Sequence, residues 1–177
     1  MIAFITELLS SGSLDQALAG LLLLVGGVVF AVCAISLSFI DLREHRLPNR
    51  IIYPWAAVAL GLLLPTALLL GDPLAALRAL AAALIWGGLF LLVRLIAPPA
   101  LGMGDVKLAV VLGLYTGLLG WNTVLAAVVA SFLLGGLVSA GLLISGQGTA
   151  RTAVPFGPFL LVGTAVALML SGGDSLG

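Results

Sequence analysis

Long apolar runs separated by short polar breaks constrain this chain more than any other feature. A helix crossing a hydrocarbon core of about 30 Å needs about 20 apolar residues at a rise of about 1.5 Å each. The stretch from about Leu18 to Ile40 meets that requirement, and further runs cover about 51–70, 74–97, 106–119, 124–144 and 157–170. Only 8% of the residues are charged, against about 25% in soluble domains, so most side chains must face lipid or one another. The expected fold class is an all-α membrane protein of about six transmembrane helices, forming a single domain over 1–177.

The breaks between runs are equally informative. Asp41 ends the first run, and the polar cluster from Leu42 to Arg50 follows, with Pro48 interrupting helical continuity. Gly71-Asp72-Pro73 reads as a turn, Pro98-Pro99 opens a loop, and Gly120-Trp121-Asn122 closes the fourth run. A further loop holds Gly146, Gly148 and Arg151; Pro155 and Pro158 suit the first turn of the last helix. The fourth run is short, about 21 Å of helix, so Asp105 at its start is expected below the membrane surface. Arg43, Arg46, Arg50, Arg94, Lys107 and Arg151 fall on or beside alternate breaks, and only Arg78 lies toward the other side. The positive-inside rule makes those breaks cytoplasmic and puts both termini outside.

Several functional classes are disfavoured. The formal net charge is zero and the basic residues are few, which leaves no track for a nucleic acid. A lone Cys33 within an apolar run permits no internal disulfide framework and reads as a small buried hydrophobe. With one histidine, one lysine and no HExxH motif, neither a metal site nor a cofactor is expected, and Ser145 has no motif supporting a serine protease. Glu7 and Asp15 stand where a signal peptide would be basic, so the first apolar run is expected to stay in the mature protein.

Two acids call for chemistry. A carboxylate at the centre of a transmembrane helix costs about 2.5 kcal/mol or more on insertion scales, which makes one near hydrocarbon a functional candidate. Glu44 has basic neighbours, and Glu7, Asp15, Asp72 and Asp174 are assigned to water; Asp41 and Asp105 remain, both on the cytoplasmic side. Two carboxyl groups at close range cannot both ionise, and such a pair suits peptide hydrolysis by an activated water. A plainer alternative is that Asp105 caps the fourth helix and Asp41 is the first polar residue past a membrane exit. Gly102 and Gly104 weigh against it, since they allow positive φ and close approach of another chain. Lys107 is expected to snorkel toward head groups, with a role near the acids as the alternative, and His45 to be an exposed loop residue. The pairs Gly26-Gly27, Gly87-Gly88 and Gly135-Gly136 are expected at close helix contacts.

Taken in order, Phe39-Ile40-Asp41, Leu47-Pro48-Asn49, Gly102-Met103-Gly104-Asp105-Val106-Lys107-Leu108 and Pro155-Phe156-Gly157-Pro158 resemble the motifs of the type IV prepilin peptidases, which are GxGD intramembrane aspartic proteases. The resemblance runs from the first apolar run to the last. It implies an endopeptidase of a bacterial inner membrane that removes the basic leader of prepilins or pilin-like precursors at the cytoplasmic face. Asp41 and Asp105 stand at the catalytic positions. Pro48, Asn49, Gly102, Gly104, Lys107, Pro155, Phe156, Gly157 and Pro158 fall in the motifs that shape the site or meet substrate. Longer members resemble bifunctional enzymes with two CxxC pairs and an N-methyltransferase activity, so this chain is expected to be a protease-only form. The competing readings are a small proton-coupled transporter using the same carboxylates and a scaffold in which both acids only cap helices.

Overall fold

A computed structural model describes residues 1–98, 101–145 and 155–171. Those residues form seven helices and no strand: α1 (Ile2–Ser10), α2 (Leu14–Glu44), α3 (Asn49–Leu69), α4 (Pro73–Ile96), α5 (Met103–Leu119), α6 (Trp121–Ile144) and α7 (Gly157–Leu170). Four stretches are long and apolar enough to cross a membrane, namely Leu14–Glu44, Asn49–Leu69, Pro73–Ile96 and Trp121–Gly141. Leu84, Leu95, Leu125 and Leu137 are among many exposed large apolar residues on these helices. A contiguous surface of this kind suits lipid and not water.

Local chemistry explains the helix ends. The Ser13 hydroxyl accepts from the Gln16 N–H at the start of α2, with Asp15 in the first turn where the helix dipole favours an acid. His45 closes α2 in a left-handed conformation, φ 51°, and its N–H donates to the Asp41 carbonyl at 2.9 Å. Pro48 then caps α3. At the expected turn Gly71 has φ 72°, the Asp72 carboxylate accepts from the Ala75 N–H at 3.0 Å, and Pro73 occupies the first turn of α4.

The short fourth apolar run occupies the middle of the bundle. Every residue from 111 to 120 is buried, and α5 touches α3, α4, α6 and α7. A helix apolar all round is one surrounded by protein, so α5 needs no length matched to a bilayer. Its closest neighbour is α4. A Cβ on Gly113 would lie 2.5 Å from the Ala83 Cα, and one on Gly117 would lie 2.8 Å from the Ala79 Cα, so only glycine lets these backbones approach. Arg78 of α4 completes the contact by donating to the Gly117 and Leu118 carbonyls, both at 2.9 Å. These are orphan acceptors at the C-terminus of α5, which explains the one cation placed away from the others.

Two expectations need correction. The helix α1 was not anticipated, because nine residues are too few to span; it folds back on α2, burying Ile5 and Leu8 while Glu7 stays exposed. The glycine pairs account for less of the packing than expected. Gly87 lies against Val110 and Gly135 against Phe156, whereas Gly88 and Gly136 have open space where a side chain would go. Pro99, Gly146, Gly148, Arg151 and Asp174 lie outside the described residues.

Candidate active site

The up-and-down course of α2 to α7 brings the end of α2 and the starts of α3, α5 and α7 to one end of the bundle. A cavity of about 280 Å³ opens there, lined by Asp41, His45, Arg46, Leu47, Asn49, Gly102, Met103, Gly104, Asp105 and Lys107. A larger, apolar cavity of about 500 Å³ lies between α2 and α7, but no carboxylate lines it. The polar cavity is therefore where acid–base chemistry can occur.

Asp41 and Asp105 are 5% and 9% exposed, and among the described acids they alone are buried. The plainer alternative fails for Asp41 and holds in part for Asp105, which caps its helix from the first turn and not from the N-cap position. Helix α2 continues through Asp41 to Glu44, so Asp41 is a buried helical residue and not one past the exit. The N-cap of α5 is Gly102, and Asp105 lies in the first turn with its carboxylate reaching back to accept from the Gly102 N–H at 3.1 Å. Glycine offers no side chain for the reciprocal bond of a capping box, so the Asp105 carboxylate alone holds this turn. One oxygen of Asp41, Oδ2, is buried without a hydrogen-bond partner. A Cβ on Gly157 would lie 2.6 Å from that oxygen, so the glycine at the start of α7 makes room for it.

Asp41 and Asp105 line the same cavity, and two carboxyl groups buried in one site titrate as a unit, so that such a pair holds a proton at pH values where isolated aspartates have lost theirs.

The other expected residues divide into two groups. Asn49, Gly102, Gly104 and Lys107 line the cavity with the acids, and Gly157 abuts Asp41. Pro48 contributes as the cap of α3, while Phe156 packs among Phe90, Phe132 and Phe159, away from the cavity lining. Pro155 and Pro158 flank the start of α7 without lining the cavity. Gly102 and Gly104 do not use positive φ. The physical reason for Gly104 is close approach, since a Cβ there would lie 2.6 Å from the Leu47 Cβ. The Lys107 Nζ donates to the Asn49 Oδ1 at 2.8 Å and lies 4.9 Å from the centre of the Tyr53 ring. Leu47, Met103, His45 and Arg46 were not anticipated as lining residues. No group of acids, histidines or cysteines among the described residues is arranged to hold a metal ion.

The type IV leader peptidase family profile matches residues 28–140, more than half of the chain and a span that includes both buried acids. The chain belongs to the type IV leader peptidase family. It is similar to the prepilin leader peptidase/N-methyltransferase of Aeromonas hydrophila, with 31% identity over 145 residues that cover 80% of this chain and 47% of that protein. It is also similar to the protein of the same name from Burkholderia pseudomallei strain K96243, with 33% identity over 177 residues covering 90% of this chain and 52% of the relative. The chain thus spans about half the length of the curated relatives it matches. No solved structure matches it.

Proposed function

We propose that the protein is an intramembrane aspartic endopeptidase that removes the basic leader from type IV prepilins or pilin-like precursors, with Asp41 and Asp105 as its catalytic pair. The observation that carries the reading is that the two buried acids share one cavity at one end of the bundle. Family membership supports the substrate class.

In the proposed reaction the pair holds one proton. The ionised carboxylate takes a proton from water as the water oxygen attacks the scissile carbonyl carbon, and the protonated carboxyl gives its proton to the carbonyl oxygen. Collapse of the tetrahedral species breaks the C–N bond, and the departing nitrogen leaves with a proton from the pair. One water is consumed and no cofactor takes part.

The setting completes the proposal. Six apolar helices, α2 to α7, cross a bacterial inner membrane as a single domain, the site end faces the cytoplasm, and both termini lie outside. A transporter relay would favour carboxylates midway along the bundle, whereas these stand in the last turn of α2 and the first turn of α5.

The decisive measurement is cleavage of a precursor with a Lys/Arg-rich leader ahead of an apolar helix, using detergent-purified protein. Asp41→Asn and Asp105→Asn should each abolish cleavage while leaving helix content and a cooperative thermal transition in place. The double variant should be hardly worse than either single one. A folded Asp105→Asn protein that still cleaves would falsify the dyad.

A further inference from the structure

We propose that Leu47 is a positioning residue that sets the separation of the Asp41 and Asp105 carboxyl groups by wedging between the starts of α5 and α7. The inference rests on the reading of Asp41 and Asp105 as the catalytic pair. Its basis is steric.

Leu47 is held from both sides along the chain. His45 turns the backbone through a left-handed conformation, φ 51°, and the Pro48 ring restricts the residue before it to extended conformations. The side chain is thereby directed at the two helix starts on which the acids depend. A Cβ on Gly104 would lie 2.6 Å from the Leu47 Cβ and 3.2 Å from its Cδ1, so α5 meets the leucine with bare backbone at the residue preceding Asp105. A Cβ on Gly157 would lie 3.4 Å from the same Cδ1 and 2.6 Å from the Asp41 Oδ2, so α7 meets both leucine and carboxylate at one glycine. One side chain therefore touches the segment that carries Asp105 and the segment against which Asp41 rests.

Leu47 fills the space that a side chain on Gly104 would need and reaches the neighbourhood of Gly157, and the other large apolar residue that lines the cavity, Met103, is exposed. Truncating the leucine lets the start of α5 and the start of α7 move independently. A misplacement on the order of 1 Å in a catalytic group costs about 100-fold in rate. A change in spacing also changes how strongly one carboxyl's charge is felt by the other.

The test uses Leu47→Ala, Leu47→Val and Leu47→Ile in the full chain, purified in detergent. Three readouts are taken: kcat and KM for a precursor with a Lys/Arg-rich leader, the pH dependence of kcat, and the Asp105 titration followed by carbon NMR. Leu47→Ala should lower kcat by about 10-fold or more with KM changed less than about twofold. Its pH profile and Asp105 titration should both be displaced, and Leu47→Ile should restore all three toward the parent. Should Leu47→Ala not fold, Leu47→Val decides by the same readouts, with smaller changes in the same sense. A folded truncation with parental kcat and an unshifted Asp105 titration overturns the proposal. So does a loss of kcat with no change in either pH readout, because that marks a merely structural role. Retention of cleavage by Asp41→Asn or Asp105→Asn marks a failure of the dyad itself, which the Leu47 variants do not address.

Discussion

The Asp105 carboxyl is buried, with one backbone N–H, from Gly102, to compensate it. Burying a charge costs far more than burying a hydrogen-bonded neutral amide. Asparagine removes the charge while its side-chain oxygen keeps the bond to Gly102, so Asp105→Asn should leave the thermal midpoint in detergent at or above the parental value. A lower midpoint would mean that an unrecognised partner stabilises the charge. A second test at this scale concerns Tyr115, whose hydroxyl accepts from Trp55 Nε1 and donates to the Gly26 carbonyl, both at 3.1 Å, linking α3, α5 and α2. Tyr115→Phe keeps the ring contacts with Phe30 and Trp55 but strands a buried indole N–H, at a cost of about 1–3 kcal/mol in unfolding free energy. Because Tyr115 does not line the site, kcat should stay at the parental value.

Among the elements, the α4–α5 contact is where backbone approach matters most. Alanine is the better helix former by about 1 kcal/mol, so Gly→Ala in a helix stabilises unless a neighbour occupies the space of the new methyl. At Gly117 that space lies 2.9 Å from the Arg78 carbonyl oxygen, whereas at Gly136 of α6 nothing lies within 4 Å. Gly117→Ala should therefore destabilise by about 1–3 kcal/mol and Gly136→Ala should be neutral or stabilising, as read from denaturation in mixed micelles. Both glycines lie in apolar runs, and their different roles could not be read there. A run that is apolar all round does not say which side meets a neighbour. The spacing of Gly113 and Gly117, one helical turn apart, is the available signal for α5, yet adjacent glycine pairs attract the eye first.

At the scale of the molecule, the runs and their breaks were legible because hydrocarbon demands length and apolarity, and Pro48, Asp72 and Pro73 act locally. Asp41 and Asp105 were legible because a buried acid in so apolar a chain stands out by cost alone. Leu47 and the central position of α5 were not, since each depends on what folds against it from elsewhere in the chain. The charge pattern supplies the last test. Arg43, Arg46, Arg50, Arg94 and Lys107 surround the site end, while Arg78, at the opposite end, is committed to the C-terminal carbonyls of α5. Freed of that one cation, the bias is one-sided, and the positive-inside rule then predicts a site that faces the cytoplasm. In a Cys33→Ala background, single cysteines at Ser13 and Asp72 should react with a membrane-impermeant maleimide on intact cells. Cysteines at Arg46 and Gly102 should react only after permeabilisation. The reverse pattern would put the cavity outside the cytoplasm, where a precursor still joined to its basic leader would have to cross the bilayer before it could be cut.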